Sequence, residues 1–133
     1  MVLWKNSYIY GKKMEEKVLP VIRSYFSQDI QASVSDTAKY DFFDEEQFYE
    51  LKSRTNTLKH YPTTMITQNK TTNNDKPLTL LFNFTDCLAY INYDEEKFKQ
   101  YEIQSFSRAR LEWDEKPHLY IPVEHLSVIK RWE

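Results

Sequence analysis

In residues 12–26 the apolar positions Met14, Val18, Leu19, Ile22, Tyr25 and Phe26 recur at spacings of three and four, which puts them on one face of an amphipathic helix. Pro20 lacks a backbone donor and crowds the preceding turn, so a kink is expected there, or a helix that begins properly nearer Leu19. The period then shortens. Residues 40–43 and 48–54 are short, aromatic-rich runs separated by the acidic, turn-like Asp44-Glu45-Glu46-Gln47, and they predict an antiparallel hairpin. In the second run Phe48, Glu50, Lys52 and Arg54 project to one face, and Tyr49, Leu51 and Ser53 to the other. Pro62 suits the first turn of a short helix running through Met65 and Ile66 to about Lys70. Residues 78–84 and 87–93 predict a second hairpin around Thr85-Asp86, apolar enough to be central. Residues 94–98 read as helix or turn, and 99–117 fit neither period. His118-Leu119-Tyr120-Ile121 reads as a short strand ended by Pro122, and 123–132 as a closing helix. The order α, β-β, α, β-β, α or loop, β, α describes an α/β fold with a mixed central sheet flanked by helices.

At 133 residues the chain suits a single domain, 1–133, large enough to bury an ordinary core without disulfides or structural metal. No internal repeat or linker interrupts it, and the polar stretch 71–77 reads as a loop. Gly11 is the only glycine, which excludes a dinucleotide fingerprint, a phosphate loop and a Gly-x-Ser-x-Gly nucleophile elbow. The single Cys87 permits no internal disulfide and no CxxC motif, and His60, His118 and His125 are too scattered for HExxH. No apolar run approaches the roughly 18 residues of a membrane span, and the N-terminal residues lack the apolar stretch of a signal peptide. A soluble, intracellular protein without membrane association is expected. The net charge of −2 means that affinity for nucleic acid would need a local basic face.

The hairpin carries the one constellation suited to a reaction. With the turn centred on Glu45-Glu46, Phe43 faces Phe48, Phe42 faces Tyr49 and Asp41 faces Glu50. Directly paired residues share a sheet face with Cβ atoms about 4.5–5.5 Å apart, so two carboxylates would meet. A divalent cation between them turns repulsion into binding, and hard oxygen ligands suit Mg²⁺ or Mn²⁺. Lys52, two residues on, shares that face and could stabilise charge on a phosphate or orient the attacking water. A one-residue change in turn length would separate Asp41 from Glu50. Acid-x-Lys triplets also arise by chance. The chain has four, at Glu15, Glu50, Glu95 and Asp114, and only Glu50-Leu51-Lys52 falls on an expected strand with an upstream Asp partner.

In these residues the chain resembles the PD-(D/E)xK nuclease superfamily, whose restriction-endonuclease-like core bears an Asp at the end of one strand and Glu-x-Lys on the next. Tyr40-Asp41 and Glu50-Leu51-Lys52 carry the match, with Tyr40 in place of the family's Pro. Gly11, Glu15, Val18 and Ile22 fit the Gly-x3-Glu-x2-aliphatic-x3-aliphatic helix that precedes the hairpin in many members. Arg54, Tyr61-Pro62 and Lys70 look like the downstream stretch of small nucleases from phages and large DNA viruses. The resemblance covers residues 11–70, and only general layout beyond them. It implies that Asp41 and Glu50 bind the metal with the Leu51 carbonyl, that Lys52 serves the water or the transition state, and that Glu15 completes the acidic cluster directly or through water. It further implies phosphate contacts from Arg54, Lys70 and Gln68.

Each group also has a plainer reading. Glu15 beside Glu16 fits a solvated helix acid, Asp44, Glu45 and Glu46 fit an exposed turn rather than a second metal position, and Arg54, Lys70 and Gln68 fit an exposed polar edge. Cys87 fits a buried, inert thiol. Most aromatics fit the core, although unpaired bases could stack on them. Arg108 and Arg110 could extend a basic groove, opposed by Glu112, Asp114 and Glu115. The expected function is a Mg²⁺- or Mn²⁺-dependent nuclease that hydrolyses phosphodiester bonds, most relatives cutting DNA, as a monomer or homodimer. The alternatives are a nuclease-fold protein that binds nucleic acid or assembles without catalysis, and an unrelated α/β interaction module.

Overall fold

The computed structural model describes residues 3–133 apart from Asp36, Asn73 and 107–115. Helix α1 spans Leu3–Tyr25 and begins well before the apolar periodicity does. Pro20 lies within it on the exposed side, where the carbonyl one turn earlier, on exposed Glu16, can turn to solvent instead of to the missing N–H. Strands β1 (Gln31–Ala32), β2 (Phe42–Phe43) and β3 (Phe48–Ser53) follow, then β4 (Thr63–Thr67), a 3-10 turn over Gln68–Thr71, β5 (Leu78–Asn83) and β6 (Cys87–Asn92). Helix α2 (Glu95–Phe98) is a single turn, capped where the Lys97 N–H donates to Asp94 Oδ1 at 3.1 Å. Strands β7 (Glu102–Phe106), β8 (Lys116–Pro122) and β9 (Ser127–Arg131) complete the described chain.

The strands form two sheets. One is mixed and six-stranded, in the order β1-β2-β3-β5-β6-β9, and the other is three-stranded, in the order β4-β8-β7. Val18 and Ile22 of α1 pack with Phe42, Tyr49, Leu51, Leu81 and Leu88 on one face of the larger sheet. Leu80, Phe82, Ala89 and Ile91 on its other face pack with Ile66, Leu119 and Ile121 of the smaller sheet and with Phe98 of α2. The layers therefore run helix, mixed sheet, antiparallel sheet. The fold is α/β with a mixed sheet, but α1 is the one long helix among the described residues and the opposite face is covered by strands.

Both expected hairpins form, but the first strand is shorter than expected: β2 covers Phe42–Phe43 alone, and Tyr40 and Asp41 lie outside the ladder. Phe42 pairs with Tyr49 and Phe43 with Phe48, and the turn closes with the Asp44 N–H donating to the Gln47 carbonyl at 3.0 Å. The β5–β6 hairpin closes where Phe84 N–H donates to the Cys87 carbonyl at 2.8 Å.

Two expected helices are corrected to strands. After Pro62 the chain is extended: Thr64 and Ile66 are buried while Thr63, Met65 and Thr67 are half-buried, a period of two that β-branched residues favour. Pro62 starts a strand, and helical geometry is confined to the 3-10 turn. Residues 123–132 form a 3-10 turn over Val123–His125 and then β9, because Val128 and Ile129 belong to a run that completes the open edge of β6. Of the ambiguous stretch 99–117, Glu102–Phe106 pairs with β8. Arg108, Arg110, Glu112, Asp114 and Glu115 lie outside the described residues.

The connection from β3 to β5 positions the candidate site. These neighbours are parallel, so the chain must return from the end of one to the start of the other, and residues 54–77 make that return through β4 and the 3-10 turn. The return carries Lys70 back over β3.

Candidate functional site

Strand β2 pairs with β3 only at Phe48 and Tyr49, so from Glu50 onward β3 has a ladder on its β5 side alone. Phe48 N–H and Arg54 N–H donate toward β5, to the carbonyls of Pro77 and Asn83. Alternation along the strand turns the peptide groups of Tyr49 and Leu51 the other way. The Leu51 N–H meets Asp41 Oδ2 at 2.9 Å, so the Asp41 carboxylate takes the place of the missing β2 partner. The Leu51 carbonyl leaves the strand on that same side.

Glu50 projects from the opposite sheet face to Leu51, into the space between the two sheets, and is 3% exposed. Lys52 Nζ and Lys70 Nζ each stand 3.4 Å from its Oε2. Its Oε1 is buried without a hydrogen-bond partner. Burial raises the Glu50 pKa from 4.5 to about 7; the Asp41 charge adds to that rise, and Lys52 and Lys70 oppose it. The two carboxylates are thus close enough to repel, although the ladder ends at Phe42 and Tyr49 and does not pair Asp41 with Glu50 directly.

Lys70 is held in place by contacts far apart in sequence. Its ammonium donates to the Lys39 carbonyl, and its own carbonyl accepts from Tyr40 Oη at 2.6 Å. The Tyr40 ring stacks on Phe48, with centroids 4.8 Å apart, and its hydroxyl also meets the Asn74 side-chain amide. Burial, with a further push from Glu50, takes the Tyr40 phenol up to about 12, so it remains a protonated donor at neutral pH. The supporting roles of Tyr40, Lys39 and Asn74 escaped the sequence reading. Tyr40 stood out only as a substitute for Pro.

Glu15 lines a cleft of about 250 Å³ together with Asp41, Tyr40 and Gly11, so α1 and the hairpin do bring Glu15 and Asp41 to one recess. Glu15 Oε1 is also 3.8 Å from Lys12 Nζ. Arg54 turns from the cluster toward β4, where Nη2 donates to the Met65 carbonyl and Nε to Thr64 Oγ1. Gln68 begins the 3-10 turn that carries Lys70 and is half-buried; the groups bonded to Glu50 are Lys52 and Lys70. A broader cleft of about 1130 Å³ lies between the end of α1 and the acidic turn, away from Glu50. Asp44 there is occupied by the turn, accepting from Glu46 and Gln47 N–H groups and from Tyr49 Oη.

The donor set suits a hard divalent cation in part. Two carboxylates, one of them with an orphaned buried oxygen, and a carbonyl on the same side as the other are oxygen ligands of the right kind. Against this, no group of three or more His, Cys, Asp and Glu side chains among the described residues is placed to hold a metal, and two ammonium groups already neutralise Glu50. Compared with known proteins, the chain matches no family model, no curated protein and no solved structure. No helix among the described residues is long and apolar enough to cross a membrane.

Proposed function

We propose that the chain is a divalent-metal-dependent nuclease with a restriction-endonuclease-like core, hydrolysing phosphodiester bonds, with DNA as the first substrate to try. The observation that carries the reading is Glu50, a buried carboxylate with one orphaned oxygen, beside Asp41 and flanked by two lysines. Buried polar atoms are nearly always satisfied, so an orphan of this kind calls for a ligand. Asp41, Glu50 and the Leu51 carbonyl would hold Mg²⁺ or Mn²⁺, with Glu15 at the margin of the site. When bound, such a cation supplies Lewis acidity toward a phosphate oxygen and toward the attacking water. Lys52, its side chain 28% exposed, reaches Glu50 from a partly open position, and would donate hydrogen bonds to the phosphate as negative charge builds on it. Lys70 contributes a second cation at the same Glu50 oxygen.

A specific observation also favours a second reading. Lys52 and Lys70 together balance Glu50 and Asp41 without any metal, which is how a nuclease-fold protein that only binds nucleic acid or assembles would retain these charges. Cleavage separates the two. Labelled single-stranded, double-stranded and branched DNA are incubated with Mn²⁺ and wild-type protein or Lys52→Ala. Cleavage lost in the variant supports the nuclease; no cleavage of any substrate, together with no Mn²⁺-induced rise in melting temperature, leaves the second reading.

A further inference from the structure

A second recess opens farther along β3. The alternation of the strand continues through Arg54, whose N–H donates to the Asn83 carbonyl at 2.8 Å. Glu50, Lys52 and Arg54 therefore share one face and span about 13 Å. At the Arg54 end lies a cleft of about 320 Å³ walled by Phe84, Tyr120 and Leu58, with Arg54, Asn56 and Thr64 supplying its polar groups. Mostly apolar walls with a few fixed polar groups are what a planar heteroaromatic ligand requires.

We infer that this recess receives an unstacked nucleobase from the strand whose backbone lies along Lys52. The inference rests on the nucleic-acid reading above and names the form of nucleic acid preferred, an unpaired strand. Three features favour that occupant over other planar ligands. Tyr61 stands at the rim with 55% of its surface exposed, in edge contact with the His60 ring at 4.4 Å between centroids. A large exposed aromatic of this kind offers a stacking platform, and loss of one such platform weakens single-strand binding on the order of tenfold. Arg54 is fixed by Thr64 and Met65 with its guanidinium 5.9 Å from the centroid of the Phe82 ring, a rigid cationic wall for a base. Arg54, which lines the recess, follows Lys52 by two residues on the same face of the chain, so a strand whose backbone meets Lys52 has a base within reach of the recess.

Anisotropy of labelled oligothymidylate, and of a duplex of equal length, is measured in EDTA with wild type, Tyr61→Ala and Tyr61→Phe. The expected result is a preference of wild type for the single strand and a roughly tenfold loss of that binding in Tyr61→Ala. Duplex binding and melting temperature should not change, and Tyr61→Phe should recover the affinity. Unchanged single-strand binding in Tyr61→Ala, or an equal loss on both DNAs, overturns the base recess while leaving Lys52-dependent cleavage standing. Tyr61-dependent single-strand preference in a protein that cleaves nothing supports the recess and overturns only the nuclease. Absence of all oligonucleotide binding in EDTA overturns the recess, and Mn²⁺-dependent cleavage by the same protein then decides the nuclease separately.

Discussion

Strands β3 and β5 lie side by side in the same direction, with Glu50 opposite Leu80, Leu51 opposite Leu81 and Lys52 opposite Phe82. On the α1 side they are alike, Leu51 and Leu81 both being buried. On the other side they diverge: Leu80 and Phe82 are fully buried, while a carboxylate and an ammonium occupy the matching places in β3. Packing alone explains β5. It does not explain β3, because a buried ion pair gains little over apolar residues of similar volume. Glu50 sits where a leucine would serve stability better.

The sharpest way to test the contrast is to alter the paired residues and compare signs. Leu80→Ala should cost about 2–5 kcal/mol in urea unfolding, as expected for a cavity in a fully packed layer. A cost below about 1 kcal/mol would mean that the space between the sheets is loosely packed and that Glu50 is less constrained than its burial suggests. Lys52→Ala, next in size, should lower Mn²⁺-dependent cleavage about 10²- to 10³-fold, equivalent to about 3–4 kcal/mol of transition-state stabilisation. Retained cleavage would remove Lys52 from the chemistry and shift attention to Lys70.

Glu50→Gln should move stability in the opposite direction to Leu80→Ala. The folded pKa is raised from 4.5 to about 7, so the folded state holds this proton more tightly than the unfolded chain does. The resulting stability is fully present below about pH 4.5 and is lost as pH rises through about 7, a change of roughly 3 kcal/mol. A neutral amide avoids that loss but leaves Lys52 and Lys70 without their partner, so Glu50→Gln should gain about 2 kcal/mol at pH 8 without metal and almost nothing at pH 4. Chemical unfolding at the two pH values measures the difference. A loss at pH 8 would show that the lysines, rather than burial, govern the carboxylate.

The same contrast explains what could be read from the sequence. The β5–β6 hairpin was legible because its apolar runs and turn are local, and the β2–β3 register was legible because Asp44-Glu45-Glu46-Gln47 fixes it. Continued one pair further, that register brings Asp41 toward Glu50; in the structure the ladder stops at Phe42 and Asp41 bonds the Leu51 N–H instead. The strand at Thr63–Thr67 was obscured by Pro62, which is as compatible with the start of a strand as with a helix, and its partner β8 lies more than fifty residues away. Strand β9 depends on an edge of β6 that no local pattern discloses. Lys70 could be suspected of facing the site, but its clamp by Tyr40 and Lys39 joins residues about thirty apart. The direction of Arg54 likewise depends on β4, so the interior of the cluster was readable and its surroundings were not.

The smallest expected effect concerns Glu15, which shares a recess with Asp41 but is also close to Lys12. A carboxylate that acts through water at the margin of a metal site adds charge without a bond, so removing that charge should weaken binding less than removing a direct ligand. Glu15→Gln should leave the melting temperature without metal unchanged, since partly exposed ion pairs contribute about 0–1 kcal/mol. In a Mn²⁺ titration followed by thermal unfolding, it should reduce the metal-induced stabilisation by less than about 1 kcal/mol, whereas Asp41→Asn should abolish it. A loss equal to that of Asp41→Asn would make Glu15 a direct ligand and bring α1 into the site. An unchanged titration would leave Glu15 a solvated helix acid, and the metal would then depend on β2 and β3 alone.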